Sequence, residues 1–299
     1  MRSLGLKMGA PLFYDASNQV LNEKNYESVE KGLAGNLILL EGLRSVRPQD
    51  PSLTATLIKG FVGYAFAINE TYYLNDKFMD IEESIHKKQA IFNYSKALRY
   101  GEEYLLENDL TIKKLESSQR DGKLMSLLND NLSENDETFN AIFFTAQALA
   151  SLINLQRDKM AIVAKLPVAK GLFDWVCEKK PLFNNGACDI FYSSYEAGRP
   201  KMLGGDPEKG KMLFLKAMKK WPNNLLVRES FLEYYSIPMS DEKSFNSQVE
   251  ILEKANENLQ KELTWGSRNV KVTPEGYGLY NSIALRRFKI MKKYKKELF

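Results

Sequence analysis

The chain has 299 residues, 44% of them hydrophobic and 27% charged, with a formal net charge of +4. So high a hydrophobic share with so balanced a charge excludes a disordered chain, and the length suffices for one large core or two modest ones. One histidine excludes a multi-histidine metal site and is a poor start for Ser-His-Asp or Cys-His catalysis, and two cysteines are too few for a disulfide-built fold or a structural zinc site.

Helical periodicity dominates from the first third onward. Met1 to Gly9 has no apolar core of the signal-peptide kind, so no signal is expected there, and no apolar run is expected to reach the ~20 residues of a membrane span. From Tyr26 to Val46 the apolar residues Tyr26, Val29, Leu33, Leu37, Leu40 and Leu43 recur at three- and four-residue steps. Leu53 to Leu74 repeats the pattern with Leu57, Phe61, Tyr64, Phe66 and Ile68. Within that run Glu70 reads either as an exposed side chain or as a paired buried carboxylate. His86, in Glu82-Glu83-Ser84-Ile85-His86-Lys87-Lys88, reads as part of a solvated helix face.

Further amphipathic segments are predicted over 80–107, 110–128, 137–156, 166–179, 186–200, 207–220, 225–236, 241–262 and 279–298. Convincing β-alternation is absent, so the predicted fold is all-α. Asp206 is placed to cap a helix with Pro207 at its first position, after a Gly204-Gly205 turn. Asp50-Pro51-Ser52 and Ser240-Asp241 play the same part for the helices that follow them. Pro48, Pro181 and Pro222 stand just past predicted helix ends, where a residue lacking an N–H does no harm.

An internal repeat is the sharpest pattern. Gly210, Phe214, Ala217 and Pro222 follow one another at steps of four, three and five. This is the small–aromatic–small–proline comb of the second helix of a tetratricopeptide (TPR) pair, in which small residues admit close helix approach and the aromatic fills the groove. The comb recurs at Ala169, Phe173, Val176 and Pro181, and at Ala90, Tyr94 and Ala97, where Glu102 replaces the proline. Asn36, Leu40, Leu43 and Pro48 form a weaker copy; Gln248, Leu252 and Ala255 form the weakest. The expected architecture is an irregular TPR-like helix-turn-helix superhelix, a single domain over 1–299 with a capping C-terminal helix. Counting across the repeat puts Tyr192, Tyr195 and Arg199 on its concave face, and with Tyr64 and Phe66 they are the candidate groove residues. Ala90, Tyr94, Ala97, Ala169, Phe173, Gly210, Phe214 and Ala217 are the expected repeat-packing residues.

Taken together, several of these segments resemble the T-component proteins of tripartite ATP-independent periplasmic (TRAP) transporters. The resemblance rests on Gly204-Gly205-Asp206-Pro207-Glu208-Lys209-Gly210 with Phe214 and Ala217, and on Asn281-Ser282-Ile283-Ala284-Leu285-Arg286-Arg287 with the ending Lys296-Glu297-Leu298-Phe299. Gly60-Phe61-Val62-Gly63-Tyr64-Ala65-Phe66, Ala97-Leu98-Arg99-Tyr100-Gly101 and the segment from Ser3-Leu4 to Ala10 extend it over nearly the whole chain. It implies a periplasmic, TPR-type scaffold that binds the transporter's extracytoplasmic solute-binding protein. It also implies a homo-oligomer, a trimer, with a groove or pore open to an apolar small ligand. Membrane attachment would come through a lipid anchor whose cysteine and signal are not in this chain. Where such proteins carry alanine at the first comb position this chain has Gly210, at a cost of ~1 kcal/mol in helix propensity.

Enzymatic motifs are lacking. Gly204-Gly205 has no downstream Lys-Ser/Thr, and Gly276-Tyr277-Gly278 follows no strand, so both read as turns. Glu82 and Glu83, like Glu102 and Glu103, are adjacent and diverge on a helix. No cofactor, no metal and no catalytic residue are expected. Cys177 and Cys188 are expected as two semi-buried free thiols, with one bridge in an oxidising compartment as the alternative. The basic residues are unevenly spread: seven fall between Arg286 and Lys296. There Ile283, Leu285, Phe288, Met291 and Leu298 form an apolar side, and Arg286, Lys289, Lys293 and Lys296 a solvated one that alternatively meets an acidic membrane or partner. Nucleic acid is not expected, since no aromatic platform accompanies the charge. The competing readings are a cytoplasmic TPR adaptor for extended peptides and an all-α hydrolase using groove carboxylates.

Overall fold

The computed structural model describes residues 12–266 and 272–299, and it contains no strand among them. The all-α expectation holds. The segment from Ser3 to Ala10, which contributes to the family resemblance, lies outside the described residues.

The helices are α1 (Tyr26–Val46), α2 (Pro51–Tyr64), α3 (Glu70–Phe78), α4 (Ile85–Glu107), α5 (Ile112–Arg120), α6 (Leu124–Asn131), α7 (Asp136–Leu155), α8 (Met160–Val163) and α9 (Leu166–Lys179). They continue with α10 (Ala187–Gly198), α11 (Pro207–Lys220), α12 (Leu225–Phe231), α13 (Glu242–Glu262), α14 (Gly278–Lys293) and α15 (Lys295–Leu298). Their starts follow from local chemistry. Asp50 accepts from the Leu53 amide at 3.1 Å, Asp206 from Lys209 at 3.0 Å and Asp241 from Ser244 at 3.0 Å, each satisfying an amide the helix cannot. Ser84, Thr111 and Asn135 cap α4, α5 and α7 in the same way. The predicted helix over 110–128 is instead two, because Gly122 takes φ +67° between α5 and α6.

By their contacts the described residues form two compact units, one of residues 12–18, 30–76 and 80–180, the other of 19–29, 77–79 and the described part of 181–299. In the first, α2, α4 and α7 pack mutually, α9 lies on α7, and α5 and α6 lie on α9. Tyr94 and Ala97 of α4 are wholly buried, as are Ala169 and Trp175 of α9. Phe143 and Phe173 meet edge to face at 4.9 Å, and Trp175 donates to Asn129 at 3.0 Å. Gly101 lets α4 touch α7, since a Cβ there would stand 2.3 Å from Thr145 Oγ1.

Two stretches of this fold, Pro51–Phe78 and Asp136–Leu155, are long and apolar enough to cross a bilayer by length and composition, contrary to expectation. Most of each is buried, and a helix packed on several neighbours is apolar on several sides. Between α2 and α3 the chain makes a π turn over Ala65–Asn69, where buried Asn69 accepts from Asn93 at 2.8 Å.

In the second unit α10 pairs with α11, α12 packs on α11 and α14, and α13 packs on α14. A second π turn, Leu232–Ser236, extends α12. Its core holds Ala197, Phe214, Ala217, Met218, Val227, Phe231 and Tyr235. The short N-terminal piece joins through Asn22, whose Oδ1 accepts from the Gly276 amide at 2.6 Å, and through Lys24, which pairs with Glu262.

Charge sits deep here too. Arg287 is 2% exposed, 3.4 Å from Glu233 and 3.9 Å from Glu229, which is wholly buried. The expectation of two free thiols is corrected: buried Cys177 and Cys188 are both disulfide-bonded. His86 is half-buried rather than on a solvated face, because its ring stacks on Tyr72 at 5.0 Å.

Candidate functional site

The candidate groove residues fall in both units, and each set is described in its own. In the second unit α10 carries Phe191, Tyr192 and Tyr195 as a half-buried aromatic run, with ring centroids 5.2 Å (Phe191–Tyr192) and 5.5 Å (Phe191–Tyr195) apart. One turn on, the Arg199 guanidinium lies over the Tyr195 ring at 3.7 Å. Arg199 Nε donates to the Tyr195 carbonyl at 2.9 Å, and its two terminal nitrogens donate to the Leu203 and Gly204 carbonyls at 3.0 Å. It also pairs with Glu196 at 3.4 Å. These bonds tie the guanidinium to the tight loop that joins α10 to α11, so Arg199 stiffens the hairpin under the aromatic run. Gly205 completes the loop: a Cβ there would fall 2.0 Å from the Arg199 carbonyl oxygen.

Behind that loop the comb residues set the helix spacing. A Cβ on Gly210 would meet the Ala197 nitrogen and Cβ at 2.6 Å, so α10 and α11 touch backbone to methyl. Phe214 fills the space beyond, edge to face with Phe231 at 5.6 Å, and Phe231 stacks on Tyr235 at 5.2 Å. Tyr235 donates to Glu208 at 3.1 Å, and Lys211 lies over its ring at 4.9 Å while pairing with Asp241 at 3.0 Å. Bonds from the Ser244 amide and hydroxyl, helped by Lys211, hold the Asp241 carboxyl down at about 2.

In the first unit Tyr64 ends α2 and Phe66 lies inside the π turn; both are half-buried. Nearby on α2, Lys59 donates to Asn18 at 2.6 Å, and burial pushes its ammonium down to about 8. Sequence reasoning passed over Lys59, although it is the single charge between Leu53 and Asn69. The α1–α4 contact carries a polar network. Glu41 accepts from Lys96 at 2.6 Å and from Tyr100 at 2.7 Å, and Arg44 reaches Glu103 at 2.6 Å. Glu41 is pushed up by burial, but those two donors outweigh it and hold its carboxyl below the usual range.

The adjacent carboxylates part company, Glu102 and Glu103 on α4, but Glu82 and Glu83 in the turn before it rather than on a helix. Glu103 pairs with Arg44, Glu102 is raised by burial, Glu83 pairs with Lys88, and Glu82 is exposed. No group of three His, Cys, Asp or Glu residues is arranged to hold a metal ion among the described residues. What the arrangement offers chemically is contact: rigid aromatic faces on stiff helix hairpins. A sequence model of the family described as "TRAP transporter T-component" matches residues 22–299. No curated protein matches the chain.

Proposed function

Because the chain belongs to the TRAP transporter T-component family, and so is associated with such a transporter, we propose that it is the transporter's non-catalytic periplasmic scaffold. The family match over residues 22–299 carries the reading. In it the protein binds the extracytoplasmic solute-binding subunit and assembles with itself as a trimer. Its native form is lipid-anchored, and within the second unit the face carrying Tyr192, Tyr195 and Arg199 accepts an apolar small ligand.

Three features support the proposal. The pairs α2/α4, α7/α9 and α10/α11 bury the comb residues Ala90, Tyr94, Ala97, Ala169, Phe173, Phe214 and Ala217, as a TPR-like pairing requires. The aromatic run on α10 is half-buried, with rigid rings suited to a contact surface. Both cysteines are disulfide-bonded, which suits an oxidising compartment outside the cytoplasm.

Sedimentation of the purified chain with the cognate solute-binding protein tests the reading. A complex is expected at micromolar concentration, and two independently sedimenting species at that concentration would refute it.

A further inference from the structure

The second unit keeps a half-buried cation that no carboxylate answers. Arg228 leaves α12 and sends its guanidinium between α11 and α13, where Nη1 donates to Gln248 Oε1 at 2.7 Å and lies 3.7 Å from Met218 Sδ. No ion pair reaches it among the described residues, and burial alone pushes the guanidinium down from the ordinary arginine range. Nε and Nη2 donate to nothing among the described residues, yet neither is sealed from solvent.

Such a group is costly to keep. A half-buried guanidinium loses hydration and here gains one bond to a neutral amide in return, so an apolar side chain of similar reach would hold the place more stably. Its surroundings point to a use. Leu215, one turn before Met218 on α11, is 43% exposed, and Ile251, one turn after Gln248 on α13, is 40% exposed. Arg228 therefore stands between two helices that each expose an aliphatic side chain one turn away, and Met212 extends the row on α11. The charge around it is positive. Lys209, Lys211 and Lys220 of α11 pair with Glu196, Asp241 and Asp189, whereas Lys216 and Lys219 have no such partner among the described residues.

We propose that this α11–α13 face docks a partner protein through a carboxylate side chain flanked by apolar ones. The carboxylate takes the Nε and Nη2 edge of Arg228, and its apolar neighbours cover Leu215, Met212 and Ile251. With Nη1 already anchored on Gln248, the guanidinium holds those two donors in a fixed plane, the geometry that grips a carboxylate with two parallel bonds. An arginine among apolar contacts is also the usual make-up of an interface hot spot. A phosphate-rich surface would meet cations that project; this one is recessed among aliphatic side chains, where a single carboxylate on a protein fits. The identity of the partner, the solute-binding subunit, rests on the scaffold reading, whereas its chemistry follows from α11–α13 alone.

Sedimentation of the whole chain and its Arg228→Met variant with the cognate solute-binding protein tests it. The variant is expected to weaken the complex at least ~30-fold, the loss of an interface hot spot. Lys219→Gln is expected to weaken it about threefold, and by less as salt is raised. Arg228→Met with Gln248→Leu leaves no orphaned acceptor, so it is expected to melt no lower than the wild type while binding as weakly as the single variant. Full-strength binding by Arg228→Met overturns the inference and leaves the scaffold reading in place, whereas no wild-type complex overturns both. A double variant that melts clearly lower makes Arg228 a structural residue, and an Arg228→Met chain that loses only self-association makes the occupant a second copy. Either result overturns the proposal.

Discussion

Gly210 lies so close to Ala197 that any side chain at 210 must push two helices apart: a Cβ there would come within 2.6 Å of the Ala197 nitrogen. In an ordinary helix interior, glycine to alanine gains up to about 1 kcal/mol. Gly210→Ala is expected to do the reverse and lose about 1–3 kcal/mol, the usual cost of overpacking. Gly35 on α1 is the control, since nothing stands within 4 Å of its added Cβ. Urea melts should show Gly35→Ala stabilised by about 0.5–1 kcal/mol and Gly210→Ala destabilised.

Arg287 is the counter-charge for two carboxylates in the interior of the second unit. Removing it alone strands Glu229 and Glu233, so Arg287→Met is expected to cost about 3–5 kcal/mol. Adding Glu229→Gln and Glu233→Gln to that variant should recover most of the loss. Equilibrium denaturation of the single and triple variants measures both steps.

Lys59 is held near 8 by burial, against 10.5 for an exposed lysine. Between these values the unfolded chain keeps a proton that the folded chain has released, so stability rises with pH across the window, and below it the full penalty stands. Lys59→Met is therefore expected to stabilise by about 1–2 kcal/mol at pH 7, the partial solvent reach of the side chain reducing the effect. Melting temperatures from pH 7 to 10.5 should rise for the wild type and stay flatter for the variant.

Asp241 works in the opposite direction. Its carboxyl sits at about 2 in the fold and at 3.8 when exposed, so its contribution is complete above 3.8 and disappears as pH falls through 2. Asp241→Ala is expected to cost about 1–2 kcal/mol at neutral pH, the worth of a good N-cap, and almost nothing near pH 2. Acid titration of the two proteins by circular dichroism should show their curves converging.

Local signals carried much of the fold. The caps at Asp50, Asp206 and Asp241 are where their side-chain chemistry puts them, and the stripe from Tyr26 to Leu43 faces inward on α1. Helix ends at Val46, Lys179 and Lys220 stop two residues before Pro48, Pro181 and Pro222. Other features arise only when distant segments meet. Nothing near Arg287 in the sequence distinguishes it from Arg286, yet one is enclosed by α12 and the other lies over the Tyr26 ring. Asn69 is an ordinary polar residue until Asn93 comes alongside it. The π turn after Tyr64 adds a residue that a fixed helical period does not contain, so the pattern of apolar residues gave no sign of it.

That added residue has a consequence for how such a chain changes over generations. An α-helix advances about 100° per residue, so a π turn is one residue gained without breaking the helix. Losing a single codon in 65–69 would leave α2 and α3 as one plain helix and turn the α3 side chains by about 100°. A substitution alters one side chain, whereas this deletion re-aims a whole helix at once. This short stretch is therefore where the loss of one residue changes which side chains α3 presents.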